Sequence, residues 1–562
     1  MWQARSYGII QPFLTGVNVN RQNTDNPAVP GSACMLLRNR HISLIAQAAT
    51  QRVLRVMAIA SIPLLSACTA LGPDFVTPDA PIQQTWQEKT ALARDGEGDL
   101  KQWWTVLQDP TLNRLIESAY SQNLSIQVAG LRVIEARAQL GIATGSQYPQ
   151  SQRIVGSAGH VDLSKNAPNY NPQLDKSYKQ YAVGFDAAWE LDFWGRYRRG
   201  IESAEASLKA SVADYDDALV TITAEVARVY VTIRTLEERL RLARDNTKLQ
   251  ARSLQIATVR FENGLVTELD KQQALSNLSD TQASIPVLER SIRQAGNGLS
   301  VLLGITPGQL NEVLAGEGKI PSAPAEIVAG VPTDLLRRRP DVRRAEQLAA
   351  AQSARIGVAK AELYPSFTLV GSIGYQSSNT GQSSGSDLFN SESLTGSFGP
   401  GVSWNIFNYG RIKNNVRSQD ARFQQTLVIY QNTVLRAYQE TEDAMVGYIK
   451  AQQEVVYRQT GARAAARSAK LARLQYRDGA IDFQRVIDAE RFLVVQQNNL
   501  ASAQGDIVLN LIAMYKALGG GWQSQDHDVM VSKENLDSMK QRVDWGDLLV
   551  VPASSGDPAT KK

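Results

Sequence analysis

Few residues of this chain are suited to chemistry. Three histidines, His41, His160 and His527, stand far apart in the sequence, so no His-rich metal site is expected. There is no Walker-type phosphate loop, no cluster of metal ligands and no nucleophile with a base beside it. The chain therefore reads as a protein that is not an enzyme and holds no cofactor. Two cysteines remain, Cys34 and Cys68. Before Cys68 run Arg52-Val-Leu-Arg55, an apolar stretch from Val56 to Leu65, and the small residues Ser66 and Ala67. A charged start, a short apolar core and small residues at a cleavage point are the layout of a secretory signal. The apolar run of about ten residues falls short of the roughly 20 that span a bilayer as a helix.

Leu65-Ser66-Ala67-Cys68 also resembles a bacterial lipobox. That resemblance implies cleavage before Cys68, diacylglycerol on its sulfur and an acyl chain on its new amino terminus. Thr69, not Asp, follows the cysteine, which by analogy with bacterial lipoproteins implies delivery to the outer membrane. Residues 1–67 are thus read as a removed leader; residues 1–51 show no periodicity, and Met35 is a candidate start. The chain has 562 residues, 43% hydrophobic and 20% charged, with net charge +4. This composition excludes wholesale disorder, collagen and a disulfide scaffold. The leader carries six basic residues and one acid, so the mature charge is −1. No nucleic-acid partner is expected, and with Cys34 removed no intramolecular disulfide can form.

The elements that position these residues come in two sets. Leu140-Gly-Ile-Ala with Gln147-Tyr148-Pro149 lines up with Ile356-Gly-Val-Ala and Leu363-Tyr364-Pro365. Phe193-Trp-Gly195-Arg196 matches Phe407-Asn-Tyr-Gly410-Arg411, Arg260-Phe-Glu-Asn-Gly264 matches Gln475-Tyr-Arg-Asp-Gly479, and Leu303-Gly304 matches Leu518-Gly519. Four matches in one order imply a duplicated unit of about 215 residues. Each unit reads helix, strand pair, very long helix, tight turn, second long helix. Strands are expected at about 151–163, 179–193, 366–377 and 394–407, from period-two alternation. Leu208, Tyr215, Ile222, Val229 and Leu236 recur every seven residues, with Val212, Leu219, Val226, Ile233 and Leu240 offset by four. This seam predicts a coiled-coil-like helix from about 196 to 261, roughly 100 Å long. Tyr430, Ala437, Ala444 and Ala451 keep a weaker register in the second unit. Pro286 should break or bend its helix.

The chain offers four strands with one apolar, aromatic face and one polar face. In lipid an open sheet edge cannot be satisfied, so a spanning sheet must close. The smallest membrane barrels have about eight strands, so several copies must combine. Three copies would give twelve strands, and the charged long helices must project into water.

Further residues carry a family resemblance: Gly72-Pro-Asp-Phe75, Pro78, Pro81 and Trp86; Trp103-Trp104 and Asp109-Pro110-Thr-Leu112; Trp189-Glu-Leu-Asp-Phe-Trp-Gly-Arg196; Leu336-Arg-Arg-Arg-Pro-Asp-Val342; and Gly357-Val-Ala-Lys-Ala-Glu-Leu-Tyr-Pro365. Across about 72–520 the chain resembles the outer-membrane factors of tripartite efflux pumps, in the TolC-like lipoprotein branch of NodT and OprM type. The resemblance implies an α+β membrane protein: a homotrimer sharing a 12-stranded outer-membrane β-barrel that continues into a long periplasmic α-helical barrel with an equatorial collar. It divides the chain into leader 1–67, lipidated segment 68–112, repeat 113–304, linker and collar 305–332, repeat 333–519 and tail 520–562, the last expected to be loosely packed or disordered from 523.

The same resemblance implies a passive exit duct in the cell outer membrane for small molecules such as drugs or other toxic solutes. They would arrive from an inner-membrane transporter of RND type through a periplasmic adaptor. Two sites carry over. In Val486-Ile-Asp488-Ala-Glu-Arg491, Asp488 would ring the periplasmic aperture, and Arg491, three residues on, would pair with it. Gly264, Leu265, Val266 and Thr267, with Gly479, Ala480 and Ile481, would form adaptor-docking tips, Thr267 and Asp482 also capping the following helices. A duct for type I protein secretion is the alternative. An adaptor would lack the duplication and the strands, and a structural envelope coiled coil would lack the strands' polar face.

Overall fold

The computed structural model describes residues 70–549, except 80–85, 88–92, 95–99, 167, 169, 174, 315–317, 325–326, 329–336, 381–383 and 525–529. The leader, Cys34, His41, Cys68 and its box, Pro81, Leu336, His527 and 550–562 therefore lie outside the described residues.

Four of the eight long helices named below, those opening at Pro110, Leu124, Phe483 and Lys533, begin at a side chain that accepts from their free N–H groups. The Asp109 carboxylate takes the N–H groups of Thr111 and Leu112 at 2.9 and 3.1 Å and opens α1 (Pro110–Gln122). Asn123 follows, accepting from the Ile126 N–H at 3.0 Å to cap α2 (Leu124–Gly145). Then come α3 (Arg196–Glu262), α4 (Glu268–Leu303), α5 (Pro340–Ala361), α6 (Arg411–Arg477), α7 (Phe483–Ala517) and α8 (Lys533–Arg542). Both α3 and α6 have 67 residues, which makes each about 100 Å long. On α3 no residue of the two heptad seams is exposed. Among the described residues no helix is long and apolar enough to cross a membrane.

Pro286 does not break α4. It stands on an exposed face, where the carbonyl that loses its partner can meet water. Thr267 makes no side-chain cap at the start of α4, contrary to expectation; Glu268 and Asp270 in the first turn complement the helix dipole instead. Asp482 does cap α7, accepting from the Arg485 N–H at 3.1 Å.

The strands β1 (Ser151–Asp162), β2 (Ser177–Leu191), β3 (Ser366–Ser378) and β4 (Leu394–Ser403) form one antiparallel sheet in that order. Phe185 lies opposite Ile154 on one side and Ile373 on the other, and Ile373 opposite Gly396, so the apolar residues share one face. The other face carries Arg153 and Asp186, 4.0 Å apart, and Ser372 hydrogen-bonded to Ser397 at 2.9 Å. β2 stops at Leu191, short of the expected 193, because the Asp192 carboxylate turns to accept from the N–H groups of Tyr197 and Arg198 at the start of α3. β4 stops at Ser403, short of 407; Trp404 leaves the ladder and its indole N–H donates to the Leu363 carbonyl at 3.0 Å.

The largest core gathers Leu112, Leu115 and Ile116 of α1 with Tyr230, Leu299, Tyr448 and Leu511 of the long helices. Trp103 is 1% exposed there and stacks on Tyr515 at 5.2 Å. Ala93–Arg94 pairs in parallel with Ile327–Val328, tying the N-terminal segment to the linker. In the described part of the tail, 530–549, both ends are anchored. Met530, Val531 and Leu549 are buried against Ile126, Val133, Tyr215 and Leu219, and α8 lies between them. Met530 and Val531 are adjacent and Leu549 follows 18 residues after Val531, so no helical period announces the cluster.

Candidate aperture and hairpin tips

Two hairpins, α3–α4 and α6–α7, each end in a tight turn. Gly264 and Gly479 take φ of +68° and +79°, which a side-chain-bearing residue adopts only with strain. At each turn a later N–H reaches back to the helix end: Leu265 to the Arg260 carbonyl at 2.9 Å, Ala480 to that of Gln475 at 2.8 Å. The turns leave Gly264, Leu265, Thr267, Gly479 and Ala480 exposed, with Val266 and Ile481 half-buried. Leu265 is 66% exposed, an apolar side chain offered to solvent at the very end of a hairpin.

Beneath the turns the hairpins pack through Ala257, Ala274, Ala472, Phe483, Val486 and Ile487. The Arg260 guanidinium lies over the Tyr476 ring, 4.8 Å from its centre, and donates to the carbonyls of Tyr476 and Arg477. A cation therefore closes the carbonyl end of α6 from the neighbouring hairpin. The Tyr476 hydroxyl donates to Asp270 at 3.2 Å. Burial, and then the nearby Asp270 carboxylate, push the Tyr476 phenol up to about 12, so it remains a donor at neutral pH.

One turn further along α7, Asp488 and Arg491 are exposed. Within the chain they do not pair. The Asp488 carboxylate accepts from Gln484 at 2.9 Å, while the Arg491 Nε donates to the Asn277 Oδ1 of α4 at 3.2 Å. The expected i,i+3 ion pair is thus replaced within one chain, because a buried amide oxygen needs a donor more than an exposed carboxylate does.

Glu490, between them, escaped the sequence reading. It is 3% exposed and sits on the stripe Phe483, Val486, Ile487, Glu490, Leu493. A carboxylate at an apolar-stripe spacing was the available signal. It accepts from Ser253 at 2.6 Å, Arg473 at 3.3 Å and Asn277 at 3.3 Å.

At the opposite end of the helices, residues 70–74 dock where the strands meet α3. The Leu71 N–H donates to the Trp194 carbonyl at 3.0 Å. Arg199, buried, donates to the carbonyls of Leu71 and Gly72 and to Asp74, the last at 2.7 Å. A Cβ on Gly357 would come within 2.4 Å of the Leu71 carbonyl oxygen, so only glycine admits this strap. Trp189 and Trp404 stand at the same strand ends, half-exposed, their indole N–H groups bonded to the carbonyls of Gln147 and Leu363. Among the described residues no group of His, Cys, Asp and Glu could hold a metal ion.

Comparison with known proteins fits this geometry. Residues 115–305 and 331–520 each match the family model described as outer membrane efflux protein. Nodulation protein T of Rhizobium leguminosarum bv. trifolii is 30% identical over 469 residues, covering 82% of this chain and 96% of the relative. The pyoverdine export outer membrane protein OpmQ of Pseudomonas putida is 30% identical over 470 residues, covering 83% and 96%. The cation efflux system protein CusC of Escherichia coli is 28% identical, covering 82% and 97%. Among solved structures, the outer-membrane channel OprN superposes with a TM-score of 0.74 at 31% identity, covering 81% of this chain and 99% of that one. The open state of the MtrE channel of Neisseria gonorrhoeae gives 0.68 at 26% identity, covering 82% and 100%. By fold, by sequence and by the two segments that match its model, the chain belongs to the outer membrane efflux protein family.

Proposed function

We propose that this chain is the exit channel of a tripartite efflux system, passing small solutes passively across the outer membrane. One observation carries the reading: a four-stranded sheet, apolar and exposed on one face, polar on the other and unpaired at both edges among the described residues, set on two 67-residue charged helices. Such a sheet is stable in lipid only when its edges close on further copies. Three copies give a twelve-stranded barrel, its polar face lining the lumen, with the helices continuing as a periplasmic tube. Acylation of Cys68 would anchor each copy two residues ahead in sequence of the strap at 70–74, which docks at the sheet base.

A duplication of the unit is supported by equivalent contacts. Asn123 donates to the Leu302 carbonyl and Arg339 to that of Ala517; Trp189 donates to Gln147 and Trp404 to Leu363. Each pair is displaced by 215 or 216 residues. The exposed turns at Gly264–Thr267 and Gly479–Ile481 would receive a periplasmic adaptor, itself served by an inner-membrane transporter of RND type. The names of the relatives, pyoverdine export and cation efflux, favour small molecules or ions as cargo over secreted protein. The channel has no catalytic step to perform.

Single-channel recording of the purified mature protein in a planar bilayer tests this reading, beside an Asp488→Ala/Arg491→Ala variant. A small wild-type conductance that rises in the variant supports a channel narrowed at that turn. Equal and appreciable conductances keep the channel and remove Asp488 and Arg491 from its aperture. Intact trimers that pass no current in either form overturn the duct.

A further inference from the structure

The register of the sheet decides which side chains share its polar face. Asp186 lies opposite Arg153 on one side and Ser372 on the other, and Ser372 lies opposite Ser397. Alternation carries the same face through Ser157 and Gly159, Ala182 and Gly184, Gly399 and Gly401. Among the described strand residues of this face, the charged ones are Arg153, Asp186 and Glu190. Glu190 stands at the base of β2 and is already answered. It accepts from the Tyr197 hydroxyl at 3.1 Å, and the Arg196 Nη1 lies 3.5 Å from it. That leaves Arg153 and Asp186.

Their nearest nitrogen and oxygen are 4.0 Å apart, too far for a hydrogen bond. The Arg153 side chain is 68% exposed and that of Asp186 37%. The guanidinium, on the longer stem, thus stands further into solvent than the acid facing it. Arg153 also lies on an edge strand, β1, and the other edge is β4. When copies close edge to edge, β4 of the next copy would come beside it. The polar face of β4 carries serine, threonine and glycine, with no carboxylate to neutralise Arg153.

Three copies would therefore set three guanidinium groups around the lumen. Each offers paired N–H donors that match a carboxylate or a phosphate. An unopposed ring would hold an anion too long, and a conducting site must release what it binds. Asp186 weakens the field at that point without locking the guanidinium in place.

We propose that Arg153 of the three copies forms a cation ring in the barrel lumen, a transit site for solutes bearing carboxylate or phosphate groups, and that Asp186 keeps the site weak enough to release them. The inference rests on the channel reading above, because it needs the polar face to line a lumen. It places charge selection in the barrel and leaves the aperture out of it.

Tripolyphosphate, a small polyanion, is the probe, added to each side in turn of a planar bilayer holding the purified mature trimer. Block of the current and the zero-current potential in a KCl gradient are read at about 0.1 M salt, where the Debye length is about 10 Å. Wild type should be blocked. Arg153→Gln should raise the blocking concentration about tenfold and shift the potential toward cation selectivity. Asp186→Asn should do the opposite, lowering that concentration and lengthening each blocked interval. Arg153→Lys, which keeps the charge and loses the fork, should fall between wild type and Arg153→Gln, and it decides the matter should Arg153→Gln fail to assemble. Conducting trimers that tripolyphosphate does not block, or whose block and potential stay unchanged or move the same way in the Arg153 and Asp186 variants, overturn the ring and keep the channel. Intact trimers that pass no current in any form overturn the channel reading, and the ring falls with it.

Discussion

At the scale of single residues, the chain keeps its charges where neighbours can answer them, and Asp217 is an exception with a measurable consequence. Burial, and then the like charge of Asp341, push its carboxyl up to about 6, while Arg339 and Arg344 only partly offset this. A carboxyl whose folded value lies above its unfolded value is disfavoured when ionised. The penalty is absent below the ordinary carboxylate range, grows as pH rises toward 6, and is fully present above it. Asp217→Asn should therefore raise the melting temperature in detergent at pH 7, by the equivalent of up to about 3 kcal/mol, and leave it nearly unchanged at pH 3.5. An equal gain at both pH values would assign the effect to packing. The tip glycines make a second case. Gly479→Ala keeps the turn's surroundings open, with the Arg260 guanidinium 3.7 Å from the added methyl, yet places a side chain at φ +79°. A loss of about 1 kcal/mol is expected, read as a lower denaturant midpoint with an unchanged slope.

Elements differ in how far their own residues announce them. The four strands were legible from alternation and the long helices from two seven-residue seams, because both patterns are local and repeat many times. Glu490 was not, since its partners Ser253, Asn277 and Arg473 come from three other helices and a lone charge on an apolar stripe looks like noise until they are in place. The anchoring of the described part of the tail was not legible for the same reason: Met530, Val531 and Leu549 have no period, only a shared destination. Pro286 leaves its helix unbroken for a different reason. The missing N–H was foreseen, but not that the helix would turn that face to solvent. Pro286→Ala should restore one ladder bond and remove a ring clash, stabilising α4 by about 1–3 kcal/mol. Hydrogen exchange across 282–290 should slow in the variant; unchanged exchange would mean the helix already yields there without strain.

For the whole molecule, the decisive question is which face of the sheet meets lipid, because closure of the barrel follows from it. Phe398 is 81% exposed and Ile373 59%, neighbours on the apolar face, while Ser372 lies one position away on the polar face. A one-residue step along β3 thus separates lipid from lumen. Ile373→Arg should destabilise the inserted barrel by about 2–4 kcal/mol per copy near the middle of the bilayer. Three copies share one barrel in the proposed assembly, so the loss is felt three times over. Ser372→Arg, one residue earlier, places the same cation in water and should be tolerated. The measurement is the yield of detergent-resistant trimer from outer-membrane fractions. Loss in Ile373→Arg with retention in Ser372→Arg follows if three sheets close with the aromatic face outward. The reverse pattern would turn the sheet inside out, and equal yields would leave the strands as a face that never meets the membrane. The asymmetry between these two adjacent arginines reports on the barrel, because both stand mid-strand in β3 with Ser397 and Gly396 of β4 opposite them.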